Sequence, residues 1–275
     1  MANLKTFKKQ KMNKHLIFFQ HGLGQKKIGI SKTVEKLFKH YVDLKEYPKT
    51  FIDDTFDINL NLNELYDISY SFLQNKFQNI IIGGDHSLAI ASISSSLNFV
   101  KNNNLKVVWF DAHADINTLD SSPSGNMHGM PLSFLTGLSQ NKFNFLQKIL
   151  NFENLFYVGI RDLDNFEIEI IEKHNIRFQK CSELNVSDIV EWIGKDPVHL
   201  SFDVDCLDPF YISCTGTPVG DGLELSSVLQ ALKILVTNCN IIQVDLVELN
   251  LEINPEKSQN NLDNFDQIVN CFIDA

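Results

Sequence analysis

The chain has 275 residues, of which 44% are hydrophobic and 21% charged, a composition that excludes disorder, collagen-like repeats and small disulfide scaffolds. With 24 basic and 34 acidic residues the formal charge is −10. That argues against nucleic acid or an anionic membrane as partner and suits a cleft that attracts cations. The five cysteines, Cys181, Cys206, Cys214, Cys239 and Cys271, are odd in number and show no C-x-x-C spacing, so neither a disulfide framework nor a thiolate zinc site is expected. A reducing, cytoplasmic setting is the simpler expectation, and no apolar run is long enough to span a membrane.

Residues 1–14 carry five lysines and no acid and read as a basic arm, leaving one folded domain over residues 15–275. Apolar runs follow at residues 15–20, 79–83, 105–110, 155–160, 198–202 and 240–247. Between them lie segments of helical periodicity at 31–40, 62–73, 86–100, 167–174 and 223–236. Runs such as Ile80-Ile81-Ile82 and Val107-Val108-Trp109-Phe110 are apolar on both faces, as buried parallel strands are. The alternation predicts an α/β domain with a central, mostly parallel sheet covered by helices on both faces. In such folds chemistry collects just after the strands.

Three strand ends carry an unusual density of Asp and His. Asp111-Ala112-His113-Ala114-Asp115 sets three polar groups on one side of an extended backbone, with small spacers between them. Such groups at a buried strand end are costly without a compensating charge, and a divalent cation supplies one. Asp203-Val204-Asp205 adds a carboxylate pair that repels itself unless a cation intervenes. Gly83-Gly84-Asp85-His86-Ser87 follows a third strand and opens a helix. Read singly, the D-x-D is as well explained by capping, and His86 by packing. Read together, His86, Asp111, His113, Asp115, Asp203 and Asp205 make a donor set whose four carboxylates balance two divalent ions. Oxygen with some imidazole suits Mn²⁺ better than Zn²⁺ or Mg²⁺. Two such ions turn a shared water into hydroxide near neutral pH, so the residues alone point to a binuclear metallohydrolase. Asp85 and Asp208 read as supporting or capping residues. A di-metal phosphoesterase ranks lower, because no basic cluster or glycine-rich cradle accompanies the motifs.

These three motifs, ending in Ser201-Phe202-Asp203-Val204-Asp205-Cys206-Leu207-Asp208-Pro209, resemble in order and placement the signatures of the ureohydrolases, the arginase and agmatinase family. The resemblance runs from about residue 80 to 254, with a looser match at Gly22-Leu23-Gly24 and the lysine-rich turn after it. It implies a three-layer α/β/α fold and two Mn²⁺ per subunit. Asp111 and Asp203 would bridge both ions, His86 and Asp115 would complete one, and His113 and Asp205 the other. It also implies hydrolysis of a guanidinium by a metal-bridging hydroxide, with Asp115 passing the proton to the leaving nitrogen.

The stretch from Asp115 to Gly129 is similar to the version that takes L-arginine to L-ornithine and urea. There the positions of Asn117, Ser124 and Asn126 hold an α-carboxylate, with Ser122 adding a water-mediated contact. His128 matches a proton shuttle, Asp164 an α-ammonium acceptor with Glu167 beside it, Glu248 the carboxylate that grips the guanidinium, and Thr217 a hydroxyl next to that carboxylate. Three of these positions have rival readings: His128 as a cap or packing residue, Glu167 as a solvated charge beside Glu169 and Glu172, and Glu252 in place of Glu248. Asn165-Phe166 departs from the family's usual Pro-Gly, and Cys206 replaces a smaller residue beside a ligand, which would favour oxidation. His21, His40, His174 and His199 match no motif and read as structural or exposed. The expected partner is a small-molecule substrate, with no nucleic acid and no membrane, in a homo-oligomer (trimer or hexamer) as is the family habit. The alternatives are another ureohydrolase, such as an agmatinase or formimidoylglutamase, and a non-catalytic binding protein on the same scaffold.

Overall fold

The computed structural model describes residues 12–44, 46–140 and 142–274. Its strands are β1 (Asn13–Phe19), β2 (Lys49–Ile52), β3 (Phe77–Gly83), β4 (Lys106–Phe110), β5 (Leu155–Val158), β6 (Arg177–Gln179), β7 (Pro197–Asp203) and β8 (Asn240–Val247). They form one sheet in the order β2-β1-β3-β8-β7-β4-β5-β6. Every pairing is parallel, so the expected mostly parallel sheet is wholly parallel among the described residues.

The apolar runs divide by strict alternation. Leu16, Phe18, Ile80, Ile82, Val108 and Phe110 face one core, and Ile17, Phe19, Ile81, Val107 and Trp109 face the other. Helices α1 (Ile30–Tyr41), α6 (Val186–Ile193), α7 (Leu225–Asn238) and α8 (Ser258–Ile273) cover the first. Helices α2 (Ile58–Gln74), α3 (Ala89–Phe99), α4 (Pro131–Leu135) and α5 (Asn165–Lys173) cover the second. Each large apolar side chain so buried contributes about 1.5–3 kcal/mol. A one-residue slip would exchange every strand's two faces, which fixes the register and with it the residues leaving each strand.

Several boundaries differ from the sequence reading for local reasons. The helix expected at residues 86–100 begins as a 3₁₀ turn, His86–Leu88, because the Asp85 side chain accepts from Ser87 N (3.0 Å) and fixes a tight first turn. β2, β6, α6 and α8 were not among the expected elements, although α6 sets Val186, Ile189, Val190 and Ile193 at helical spacing behind a capping Asn185. The two strands are short and half-exposed at the sheet edges, and the apolar stripe of α8 is interrupted by Asn and Asp. β1 begins at Asn13, inside the expected arm, and the Lys14 ammonium donates to Ile273 O (2.9 Å). Residues 1–11 of that arm lie outside the described residues. His199 is structural: buried, it bonds Asp245 Oδ2 through Nε2 (2.8 Å) and Ser96 Oγ through Nδ1 (2.9 Å), tying β7 and β8 to α3. His21 is buried as well, against Ser87 Oγ (3.0 Å). Among the described residues no helix is long and apolar enough to cross a membrane.

Candidate metal centre

Four adjacent strands in the middle of the sheet, β3, β8, β7 and β4, deliver their carboxyl ends to one place, as open parallel sheets do. His86 follows β3, Glu248 follows β8, Asp203 ends β7 with Asp205 just beyond, and Asp111, His113 and Asp115 follow β4. All six expected donors meet there. His86 Nδ1 lies 3.1 Å from Asp111 Oδ2, 3.2 Å from Asp115 Oδ2 and 3.3 Å from Asp203 Oδ2. His113 Nδ1 lies 3.1 Å from Asp205 Oδ2 and 3.4 Å from Asp111 Oδ1. Five of the six donors fall into two groups able to hold a metal ion, His86/Asp111/Asp203 and Asp111/His113/Asp205, with Asp115 set against His86 beside the first. Asp111 belongs to both, one oxygen toward each. Asp203 directs its other oxygen to Asp205 N (2.8 Å).

The chemistry of this donor set fits a cation. His86 is wholly buried, and its Nε2 pairs with Ser201 Oγ (2.8 Å) while Nδ1 has no hydrogen-bond partner and faces three carboxylate oxygens. A lone pair and carboxylate oxygens crowded together repel unless a positive charge lies between them. The protonation tendencies report the same crowding. Burial pushes Asp203 well up, aided by the charges of Asp205 and Asp111, and it pushes Asp115 up to about 6, aided by Asp111. Burial alone would lower the His86 imidazole, but Asp111, Asp115 and Asp203 outweigh it and hold the ring well above its ordinary value. A divalent ion held there would displace that proton and satisfy the same oxygens.

Trp109 and Arg161 support the cluster, and the sequence reading missed both roles. The Trp109 indole donates Nε1–H to Asp111 Oδ2 (2.9 Å), and its ring stacks on His86 with centroids 4.0 Å apart. The signal was present: Trp109 stands two residues before Asp111 and therefore on the same strand face. The Arg161 guanidinium donates to Asp205 O (2.8 Å), Gly159 O (3.0 Å), Val219 O (2.8 Å) and Gly220 O (2.9 Å). No local pattern announces a side chain that binds carbonyls from three loops.

Glu248 overlooks the cluster. It adopts φ 67°, and Asp115 adopts φ 49°, left-handed conformations that cost a non-glycine residue about 1–3 kcal/mol each and cluster at functional sites. Glu248 N bonds Gly84 O (2.9 Å), its Oε1 accepts from His86 N (2.9 Å), and His128 Nδ1 stands 3.3 Å from Oε1. The Glu248 carboxylate, outweighing burial, raises His128 to about 9. Glu252, the rival, is partly exposed and pairs with Lys36. The capping alternative for His128 fails as well, since its turn and the following helix carry no side-chain cap. Gly84 must be glycine, because a Cβ there would meet His21 O at 1.5 Å.

The remaining expected residues make the following contacts. Asn117 is buried and donates to Asp164 Oδ2 (2.7 Å). Ser122 and Ser124 bring their hydroxyls within 3.4 Å of each other, and Asn126 N donates to Ser124 Oγ (3.1 Å). Thr217 donates its hydroxyl to Asp205 Oδ2 (3.1 Å). Glu167 is no solvated charge: 4% exposed, it accepts from Asp164 N (3.0 Å) and Ile116 N (3.2 Å), and burial pushes it up to about 7. Asp85 accepts from Gly24 N (2.8 Å) as well as Ser87 N and acts as a cap, whereas Asp208 supports loops, accepting from Phe210 N (2.9 Å) and Gly222 N (3.2 Å). Cys206 is fully buried and its thiol is pushed well up by that burial, an environment that opposes the expected oxidation.

Two groups of metal-competent donors at the carboxyl ends of a parallel α/β sheet mark the class of metal-dependent hydrolases. A model of the Arginase family matches residues 24–263. The chain is 37% identical over 228 residues to an arginase of Staphylococcus aureus (strain COL), spanning 79% of this chain and 72% of that one. The crystal structure of Entamoeba histolytica arginase in complex with L-ornithine superposes with a TM-score of 0.81 at 31% identity, covering 94% of this chain and 99% of that chain. The arginase from Bacillus subtilis gives a TM-score of 0.80 at 26% identity, covering 93% and 96%. The chain belongs to the Arginase family, and its chemistry is that of a hydrolase acting on guanidino C–N bonds.

Proposed function

We propose that this chain is an arginase that binds two Mn²⁺ and hydrolyses L-arginine to L-ornithine and urea. The observation that carries the reading is the shared carboxylate: Asp111 offers one oxygen to each imidazole, and the backbone of His86 in turn holds the buried carboxylate of Glu248. His86, Asp115 and Asp203 would hold one ion, His113 and Asp205 the other, with Asp111 and Asp203 between them. Bound there, the cations supply an activated water and offset negative charge developing in the transition state.

The protein's own groups supply the rest. A guanidinium is a resonance-stabilised cation and a poor electrophile, so its plane must be fixed before attack. Glu248 does this through paired hydrogen bonds. Asp115 moves a proton from the attacking water to the leaving nitrogen, and His128, close to Glu248, exchanges protons with solvent. At the far end of the substrate Asn117, Ser122, Ser124 and Asn126 bind the α-carboxylate and Asp164 the α-ammonium. Glu167 contributes one step back, by holding the backbone on either side of those contacts. Agmatine has no carboxylate, so a polar rim of this kind favours arginine. The structural relative from E. histolytica is described in complex with L-ornithine, which supports the same choice. Mn²⁺-loaded protein offered arginine, agmatine and formimidoylglutamate separately tests it. Urea from arginine is expected, and exclusive turnover of agmatine overturns the substrate assignment.

A further inference from the structure

The carboxylate of Glu248 holds a third bond that its role as a guanidinium grip does not explain. Gln25 donates from Nε2 to Glu248 Oε2 (2.8 Å) across 223 residues of sequence. The segment that carries Gln25, between β1 and α1, is fastened at both ends. Gly24 N donates to Asp85 Oδ2 (2.8 Å), and Gly24 O accepts from His128 N (3.1 Å). A Cβ at Gly24 would meet Asp85 Oδ1 at 2.4 Å, so only glycine lies this close. The Lys27 ammonium then bonds Gly216 O on the opposite side. Gln25 therefore reaches Glu248 from a fixed backbone.

We propose that Gln25 is a positioning residue for guanidinium recognition, an inference that rests on the arginase reading. A carboxylate has about four lone-pair directions, and the terminal torsion of Glu is broad. With Oε1 alone anchored, by His86 N, the group turns about that contact and loses the coplanarity that paired hydrogen bonds require. The Gln25 amide anchors Oε2 and, being neutral, leaves the negative charge for the substrate. One lone-pair direction of Oε2 remains open. The second substrate bond takes the place of the longest existing contact, that of His128 at 3.3 Å, while Gln25 stays.

The test compares two ligands of the Mn²⁺-loaded enzyme: arginine, which brings a guanidinium to Glu248, and ornithine, which does not. Gln25→Met keeps the volume and removes the donor. It is expected to raise KM for arginine about tenfold, with kcat within about twofold, full metal content, and an unchanged inhibition constant for ornithine. Gln25→Glu sets two carboxylates against each other and is expected to raise KM further. An unchanged KM in Gln25→Met overturns the inference, as does an equal weakening of arginine and ornithine, which would mark a general loosening of the pocket. Absence of urea release by the unaltered enzyme overturns instead the reading on which the inference stands.

Discussion

The two halves of the donor cluster are built differently. His86 is fully buried, stacked on Trp109, bonded to Ser201 and faced by three carboxylates. His113 has 22% of its side chain exposed, is faced by Asp111 and Asp205, and reaches toward the exposed Asp162 (3.6 Å). The inner half is organised by strand ends and core packing, and the outer half by a loop at the mouth. Burial and access are thus divided between them: an ion held on the inner side would be the more tightly enclosed, and one held on the outer side would exchange more readily.

The contrast can be broken at the residue both halves share. Asp111→Asn is expected to empty both sites and lower activity by about 10³-fold, since removing one member of a buried charged cluster typically costs 3–5 kcal/mol; metal analysis and urea release check it. Glu248→Gln should lower kcat/KM for arginine by about 10²-fold, as loss of a buried charge partner does, with both ions retained. Asymmetry sharpens next. His113→Asn is expected to leave one ion per chain and an almost unchanged melting temperature, whereas His86→Asn loses both ions and melts lower, as mass spectrometry and thermal denaturation would read. Equal behaviour of the two variants would erase the distinction. Trp109→Phe removes only the indole donor to Asp111, and metal affinity should fall by about tenfold, at the low end of the range for groups supporting a ligand.

The smallest effect concerns Glu167. Its folded value is raised to about 7 from 4.5, so the folded state binds the extra proton across that interval. Stability then falls as pH rises from about 4.5 to 7. Glu167→Gln should flatten that segment of the denaturation profile of the metal-free protein and leave the profile above pH 7 unchanged in slope.

The sheet was legible in the sequence because runs such as Ile80-Ile81-Ile82 are apolar on both faces, a pattern only a covered parallel strand needs. The donors were legible because i, i+2, i+4 spacing forces a common face in Asp111, His113 and Asp115. Edge strand β6 was not, since Arg177 and Phe178 are exposed and three residues carry no period. Arg161 and Gln25 were not, since each acts on atoms far away in sequence and nothing local foretells the meeting. Glu167 was half legible: its helical face looked charged, but burial depended on Ile116 N, contributed by another loop.

Hydrolysis of arginine as proposed requires two ions, both held by Asp111. Titration of chelator-stripped protein with Mn²⁺, following bound metal and urea release together, tests this most directly. Activity that climbs until two ions are bound per chain is the expected result, and saturation of binding at one ion, or full loading without urea, would contradict it.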